Sequence, residues 1–215
     1  MPYGFKEQHR SALFGRRPLR PVLPEGPVPA RVYLIGERLG ESEAVAGRPF
    51  VGISGKYLDL CLQAAAVDRS DCRINNLVST FSFYTKPTQE EINRDHDALV
   101  ADILDCAPDI IGLVGGWAVE HVLLRAPEME KCHGVPVRVP SLFGDELYRD
   151  QGWVVLPILH PASAAHSPDS LPMVLDDILT LGKLIDGEIQ PMREDSVYNP
   201  DYRIVNCDDL EALLP

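Results

Sequence analysis

The sequence predicts an α/β domain, a three-layer αβα sandwich around a central, mainly parallel, four-stranded sheet. The first observation is a set of four short apolar segments: RVYLIG (31–36), CRINNLV (72–78), PDIIGLVGG (108–116) and GWVVLPILH (152–160). The second is that segments of helical periodicity alternate with them. Parallel strands buried on both faces are near-continuous apolar runs, and each needs a crossover, usually a helix, before the next strand.

Four segments carry the helical signals. Apolar residues recur at helical spacing between Tyr57 and Ala65, and Thr88 with Glu91 offers a capping box for a second helix. The segments WAVEHVLL (117–124) and LPMVLDDILTLGKLID (171–186) follow the third and fourth strands. Each predicted strand is therefore followed by a predicted helix.

The 215 residues suffice for one domain with tails. Residues 1–30 hold six prolines and are predicted to form an irregular N-terminal arm. The α/β domain is predicted to span residues 31–187, and residues 188–215 to form an acidic C-terminal tail. No segment has the apolar length of a membrane span and no signal-peptide core opens the chain, so we expect a cytoplasmic protein.

Charge and cysteine content narrow the classes of function. The five cysteines form no CxxC pair, which argues against a disulfide framework and against a zinc or iron–sulfur site built on close pairs. No metal site is therefore predicted. Nucleic-acid-binding proteins usually present basic patches, whereas this chain has a formal net charge of −12 and no basic run. Charge alone argues against DNA binding.

Polar side chains occur at the carboxyl ends of three of the predicted strands. They are Glu37, Asn76 and His160. In open parallel sheets, ligands bind beyond the carboxyl ends of the strands. The sequence therefore predicts a site at that edge of the sheet.

Each of these features also has a structural interpretation. The glycine-rich segment 36–52 is either a ligand-binding loop or a simple turn, and it lacks the spacing of a dinucleotide or phosphate-binding loop. Asn76 either pairs with the edge of a pyrimidine or caps the end of a strand. His160 either donates a hydrogen bond to a leaving group or is a structural residue before Pro161.

Taken in order, these segments resemble the uracil-DNA glycosylase superfamily, most closely the branch known as family 4. The resemblance covers roughly residues 22–186. The matching segments are LPEGPVPARVYLIGE, GERLGESEAVAGRPFVGISGKYL, INNLV, PTQEEI, PDIIGLVGGWAVEHVL and LHPAS. The resemblance implies a uracil-DNA glycosylase-like fold.

The resemblance also implies roles for individual residues. Phe50 falls where the family stacks an aromatic ring on the flipped base, and Asn76 where it hydrogen-bonds the pyrimidine edge. His160 falls on the histidine that stabilises the leaving base. Glu37 occupies the acidic position beside the sugar, and Glu43 the acidic position further along the same loop. The loop that enters the DNA corresponds to Pro161, Ala162, Ser163, Ala164 and Ala165.

The chain departs from the family pattern at two places. Arg38 and Leu39 replace a small residue and a proline, so Arg38 is expected at the wall or rim of the base pocket. The four cysteines that ligate the family's iron–sulfur cluster are missing, and two of their positions are Thr80 and Asp95. We therefore expect neither a cluster nor any other cofactor.

The resemblance implies a monofunctional, monomeric DNA glycosylase that flips uracil or another modified pyrimidine out of duplex or single-stranded DNA and hydrolyses its N-glycosidic bond. The unusual Arg38 leaves a larger modified base as an alternative substrate. Excision of such a base from phage DNA would then serve antiphage defence rather than DNA repair. Two other classes stay open: a non-catalytic DNA-binding module of a phage DNA polymerase, and an unrelated doubly wound enzyme.

Overall fold

The computed structural model describes residues 20–82, 86–126, 128–144 and 146–193. Most of the predicted arm and acidic tail lies outside the described residues. The strands are β1 (Val32–Arg38), β2 (Cys72–Val78), β3 (Ile110–Val114), β4 (Val137–Leu142), β5 (Leu147–Ile158) and β6 (Met192–Arg193). The helices are α1 (Glu41–Ala46), α2 (Ile53–Ala64), α3 (Gln89–Cys106), α4 (Gly116–Leu123), α5 (Met129–Cys132), α6 (Ala162–His166) and α7 (Leu171–Ile185).

All strands form one sheet in the order β2-β1-β3-β5-β4-β6. The four predicted strands, β2, β1, β3 and β5, are successive parallel neighbours, with β2 at one edge of the sheet. This confirms the predicted fold class, but the sheet has two strands more than predicted. The strand β4 pairs antiparallel with β5, and the two-residue β6 pairs with β4. In β4, buried and exposed residues alternate around Pro140, and the pairing is irregular between Val139 and Ser141. A proline inside an apolar run argues against a strand, which is why the sequence did not reveal β4.

Two hydrophobic cores lie on the two faces of the sheet. One contains Leu99 and Ile103 of α3 with Val119 and Val122 of α4. The other contains apolar residues of α2 and α7, which are Leu58, Leu62, Val174 and Ile178. Because β1 and β3 are buried on both faces, they read as continuous apolar runs. Helices pack on both faces of the sheet, which gives the three layers that were predicted.

The described part of the arm covers the edge of the sheet. The backbone N–H of Val22 donates to the carbonyl of Ser79, and Glu25 and Ile74 exchange two backbone hydrogen bonds. These contacts occupy part of the open edge of β2, which would otherwise be free to pair with another chain. None of the described helices is long and apolar enough to cross a membrane.

Candidate active site

A cleft of about 510 Å³ opens at the carboxyl edge of the parallel strands. The strand register places Gly36 beside Asn76, β3 ends beside β1, and β5 ends beside β3. Six residues predicted from the sequence line the cleft: Glu37, Arg38, Glu43, Phe50, Asn76 and His160. The fold therefore brings together residues separated by more than a hundred positions in the chain.

His160 follows the end of β5, and its ring is held by the backbone of the next turn. The N–H of Ala162 donates to Nδ1 of His160 at 3.1 Å. Burial lowers the pKa of His160 to about 4, with the charge of Glu43 acting in the opposite direction. The neutral imidazole with Nδ1 as acceptor carries its proton on Nε2. His160 is thus a neutral hydrogen-bond donor at the wall of the cleft.

Glu37 lies at the end of β1, beside the first turn of α4. Its Oε1 accepts the backbone N–H of Trp117 at 3.1 Å. Burial raises the pKa of Glu37, and both the Trp117 N–H and the charge of His121 oppose that rise. An anion at a helix N-terminus is favoured by the N–H groups there. The carboxylate of Glu37 is therefore fixed in orientation while its basicity is increased.

Gly115 provides the space in which Glu37 and His160 approach each other. It has a φ of +100°, and a Cβ atom at this position would lie 2.7 Å from Cδ of Glu37 and 3.0 Å from Cδ2 of His160. A side chain would collide with both groups. Gly115 was not predicted as a site residue, because two consecutive glycines at the end of a strand are typical of an ordinary turn.

Phe50 and Asn76 pack closely over Gly36. A Cβ atom on Gly36 would lie 2.5 Å from Cζ of Phe50 and would also collide with Oδ1 of Asn76. The ring of Phe50 is 6.3 Å from that of His160, with 28° between the planes. The aromatic ring, the carboxamide and the imidazole therefore border one space.

Asn76 is buried. Its backbone is held by a hydrogen bond, and its side chain can bind a ligand in the cleft. Its N–H donates to Oδ1 of Asn75 at 2.8 Å, and Nδ2 of Asn75 donates to the hydroxyl of Tyr33 at 3.1 Å. Within the described part of the chain, the Asn76 carboxamide makes no hydrogen bond of its own. One donor and one acceptor are thus presented to whatever enters the cleft.

The backbone at Phe50 is held from two sides. Phe50 has a φ of +50°, which is costly for a residue with a bulky side chain. Glu43 is buried, and its Oε1 accepts the N–H groups of Val51 at 3.1 Å and Gly52 at 2.8 Å. Arg69 donates to the carbonyls of Pro49 at 2.8 Å and Phe50 at 3.3 Å. We call Glu43 and Arg69 the Phe50 clamp.

Arg69 was not predicted from the sequence. It lies on the short 3-10 turn before β2 and carries no local signal, since its partners are about 20 residues earlier in the chain. Glu43 was predicted to bind the base, whereas its described hydrogen bonds go to the loop that carries Phe50. In this geometry it acts on the ring through the backbone.

Arg38 forms part of the wall of the cleft and is bound to α3. Its guanidinium pairs with Glu91, the residue whose carboxylate also accepts the N–H of Thr88 in the capping box. Only 7% of the Arg38 side chain is exposed. The arginine that departs from the family pattern is thus held against the first turn of α3.

The segment 161–165, predicted to be a DNA-binding loop, is mostly a short helix. Pro161 and Ala164 are buried, Ala162 and Ser163 are partly buried, and Ala165 is exposed. Ala165 and the exposed residues directly after it are therefore the parts of this segment that can reach a ligand outside the protein. Its role in DNA binding stays a prediction.

The two described positions that correspond to cluster cysteines carry a different network. The carboxylate of Asp95 accepts the N–H of Ser79 at 2.7 Å, and Arg94 donates to the hydroxyl of Thr80 at 2.8 Å. Iron–sulfur clusters are held by thiolates. A hydroxyl and a carboxylate that are already hydrogen-bonded do not fit such a group.

The sequence of the chain is similar to those of known DNA glycosylases. The family model described as "Uracil DNA glycosylase superfamily" matches residues 23–179. The chain is 26% identical to the type-4 uracil-DNA glycosylase of Archaeoglobus fulgidus, over 75% of this chain and 80% of that protein. It is 30% identical to the type-4 uracil-DNA glycosylase of Thermotoga maritima, over 73% of this chain and 79% of that protein.

Proposed function

The chain belongs to the uracil DNA glycosylase superfamily, and we propose that it hydrolyses the bond between deoxyribose and uracil, or another modified pyrimidine, in DNA. The product is an abasic site and a free base. The observation that carries the proposal is the neutral His160, whose protonated Nε2 belongs to the same cleft as Phe50 and Asn76. The enzyme acts as a monomer and performs hydrolysis alone.

Substrate binding begins with extrusion of the nucleotide from the helix. Flipping costs a few kcal/mol, and stacking on an aromatic side chain returns about 1–3 kcal/mol. The ring of Phe50 supplies that stacking surface. The Asn76 carboxamide pairs with the edge of the base, one donor and one acceptor against the complementary pair on a pyrimidine.

Cleavage breaks the bond between C1′ and the ring nitrogen, and the electron pair leaves with the base. The sugar gains oxocarbenium character while negative charge develops on the base. The Nε2–H of His160 stabilises that charge by donating a hydrogen bond to the oxygen next to the broken bond. Because the pKa of His160 is about 4, the residue acts as a neutral donor at physiological pH.

Glu37 serves the other half of the reaction. Its carboxylate offsets the positive charge on the sugar and takes a proton from the water that attacks C1′. The N–H of Trp117 fixes its orientation, and burial raises its pKa, so it is a stronger base than an exposed glutamate. Only the deprotonated form performs this role.

DNA binding must overcome the acidic composition of the chain. Contacts with phosphates supply most of the affinity, so we expect binding to weaken as the salt concentration rises. Lys86 lies near the cleft, with its Nζ 5.6 Å from the centre of the Trp117 ring. It is a candidate for one such contact.

The experiment that tests the proposal is incubation of the purified protein with oligonucleotides that each carry one altered base, followed by alkali to cleave abasic sites. We expect strand breaks at uracil or at a larger modified pyrimidine, and none in unmodified DNA. The position of Arg38 at the wall makes the larger bases an essential part of the panel. Absence of cleavage with every base, by a protein that still binds DNA, would favour a non-catalytic module.

A further inference from the structure

Among the described residues, one buried carboxylate, that of Asp177 in α7, belongs neither to the cleft nor to the Phe50 clamp. Its side chain is 1% exposed, and its two oxygens bind two different segments. Oδ2 accepts the N–H of Leu159 at 2.8 Å, and Oδ1 lies 2.8 Å from Nδ1 of His133. We propose that Asp177, braced by His133, is a positioning residue for His160. This inference rests on the proposed function of His160.

The bond from Leu159 to Asp177 lies directly before His160. β5 ends at Ile158, so the N–H of Leu159 lies beyond the sheet ladder and directly precedes His160. A buried N–H without a partner is costly, and an ionised acceptor makes a stronger bond than a neutral one. Asp177 thus fixes the backbone at the last residue before the imidazole.

Each of the three residues before His160 is held by a hydrogen bond that its backbone makes. The carbonyl of Pro157 accepts the N–H of Gly134 at 2.8 Å, and the carbonyl of Ile158 accepts the N–H of Gly115 at 2.8 Å. Together with the Leu159 bond, three consecutive residues are each bound by a different segment. Only the third of these bonds is made by a side chain, and so it can be removed by substitution.

Keeping the carboxylate of Asp177 in the core costs desolvation free energy. Burial raises the pKa of Asp177, while the Leu159 N–H and His133 lower it. Gly134 provides the necessary space, because a Cβ atom there would lie 2.6 Å from Oδ1 of Asp177. Burying a carboxylate carries a desolvation cost, which its bonds to the Leu159 N–H and to His133 offset. The first of these bonds is made to the residue directly before His160, as expected for a group that positions the imidazole.

The expected consequence concerns the tautomer of His160. The proton resides on Nε2 because Nδ1 accepts the N–H of Ala162, and that bond exists only in this turn. Without the Asp177 bond the turn relaxes, the bond from Ala162 weakens and the second tautomer gains population. An imidazole protonated on Nδ1 has no Nε2–H to offer the leaving base.

The test compares three variants under single-turnover conditions with the base that the wild-type enzyme removes. Asp177→Ala should slow the maximal rate about 10- to 100-fold, the range seen when a supporting partner of a functional group is lost, while half-saturating DNA concentration stays unchanged. Asp177→Asn keeps an oxygen for Leu159 and should act close to wild type. Val174→Ala, a core truncation in the same helix, controls for general destabilisation. If Asp177→Ala does not fold, Asp177→Ser takes its place, because serine is polar and its side chain is shorter than that of aspartate.

The second measurement is independent of activity. The nitrogen NMR signals of His160 report which ring nitrogen carries the proton. Wild type, Asp177→Asn and Val174→Ala should show the proton on Nε2, and Asp177→Ala a mixture of tautomers. An unchanged tautomer together with a rate equal to that of Val174→Ala would overturn the inference. An inactive wild-type protein whose tautomer still responds to Asp177 would instead contradict the proposed function.

Discussion

The backbone N–H of Ala162 donates a hydrogen bond to Nδ1 of His160 at 3.1 Å. This contact assigns the tautomer of the imidazole, because a nitrogen that accepts cannot also carry the proton. The same turn that ends β5 therefore determines the chemistry of the side chain that follows it. His160 is equipped to donate from Nε2 without first becoming charged.

The pH dependence of base release follows from this contact and from Glu37. Burial raises the pKa of Glu37 above its ordinary value of 4.5, and only the deprotonated form accepts a proton. The rate should fall as the pH falls through the raised pKa of Glu37. Ionisation of His160 should cause no change of rate near pH 6.5, since the pKa of His160 is about 4. Single-turnover rates measured as a function of pH check both statements. A change of rate near pH 6.5 that disappears in His160→Gln would contradict them.

Glu37→Gln should slow base release about 100-fold or more, the usual contribution of a general base, and should remove the acidic limb of the profile. It should also raise the unfolding temperature at neutral pH. The sign follows from linkage: a raised carboxyl pKa means that ionisation costs folded-state stability, and that cost is present above the folded pKa. The glutamine oxygen can still accept the Trp117 N–H. A variant that is both slower and less stable would point to a structural role.

Gly115→Ala tests the space shared by Glu37 and His160. The new methyl group would meet both side chains, and alanine would have to adopt a φ of +100°. We expect stability to fall by about 1–3 kcal/mol from the backbone strain and the rate to fall with the displaced carboxylate. Gly187→Ala, which also has a positive φ but nothing within 4 Å, isolates the backbone effect. Equal rates for the two variants in their folded forms would refute the crowding argument.

The Phe50 clamp gives a matched pair of arginines. Arg69 and Arg48 both bind Glu25, but only Arg69 reaches the carbonyls of Pro49 and Phe50. Arg69→Ala should weaken capture of the flipped base and thus raise the half-saturating DNA concentration about 10-fold, on the scale of one base–aromatic stacking contact. Arg48→Ala should leave it unchanged. The account of the clamp fails if the two variants bind and cleave alike.

The strands and helices of the centre could be predicted because their burial is local in the sequence. β1, β3 and the end of β5 are apolar at consecutive positions, and strand ends place Glu37, Asn76 and His160 at one edge. Fold class alone thus predicted which side chains meet.

Other parts of the site could not be predicted, because they depend on distant contacts. Arg69 binds carbonyls that lie about 20 residues earlier in the chain, before α2. The Leu159–Asp177 bond joins a strand end to a later helix. Neither contact leaves a periodic or motif-like trace in the sequence.

The purified protein should contain no stoichiometric iron and should lack the colour of an iron–sulfur cluster. Thr80 and Asp95 occupy two of the positions that hold cysteines in the family. Thr80 accepts a hydrogen bond from the side chain of Arg94, and Asp95 accepts the backbone N–H of Ser79. Elemental analysis of protein purified without air tests this directly. Iron bound in a fixed ratio, and activity lost when it is removed, would contradict it.

We propose that His160 acts on the leaving base rather than on folding or DNA binding. His160→Ala should slow single-turnover base release about 100-fold or more, as for loss of an oxyanion-stabilising donor, with little change in DNA affinity. His96→Ala removes an imidazole that lies away from the cleft, beside Glu146, and serves as the matched control. The measurement is the rate of abasic-site formation at saturating, folded enzyme. A folded His160→Ala variant that releases the base at the wild-type rate would contradict the account.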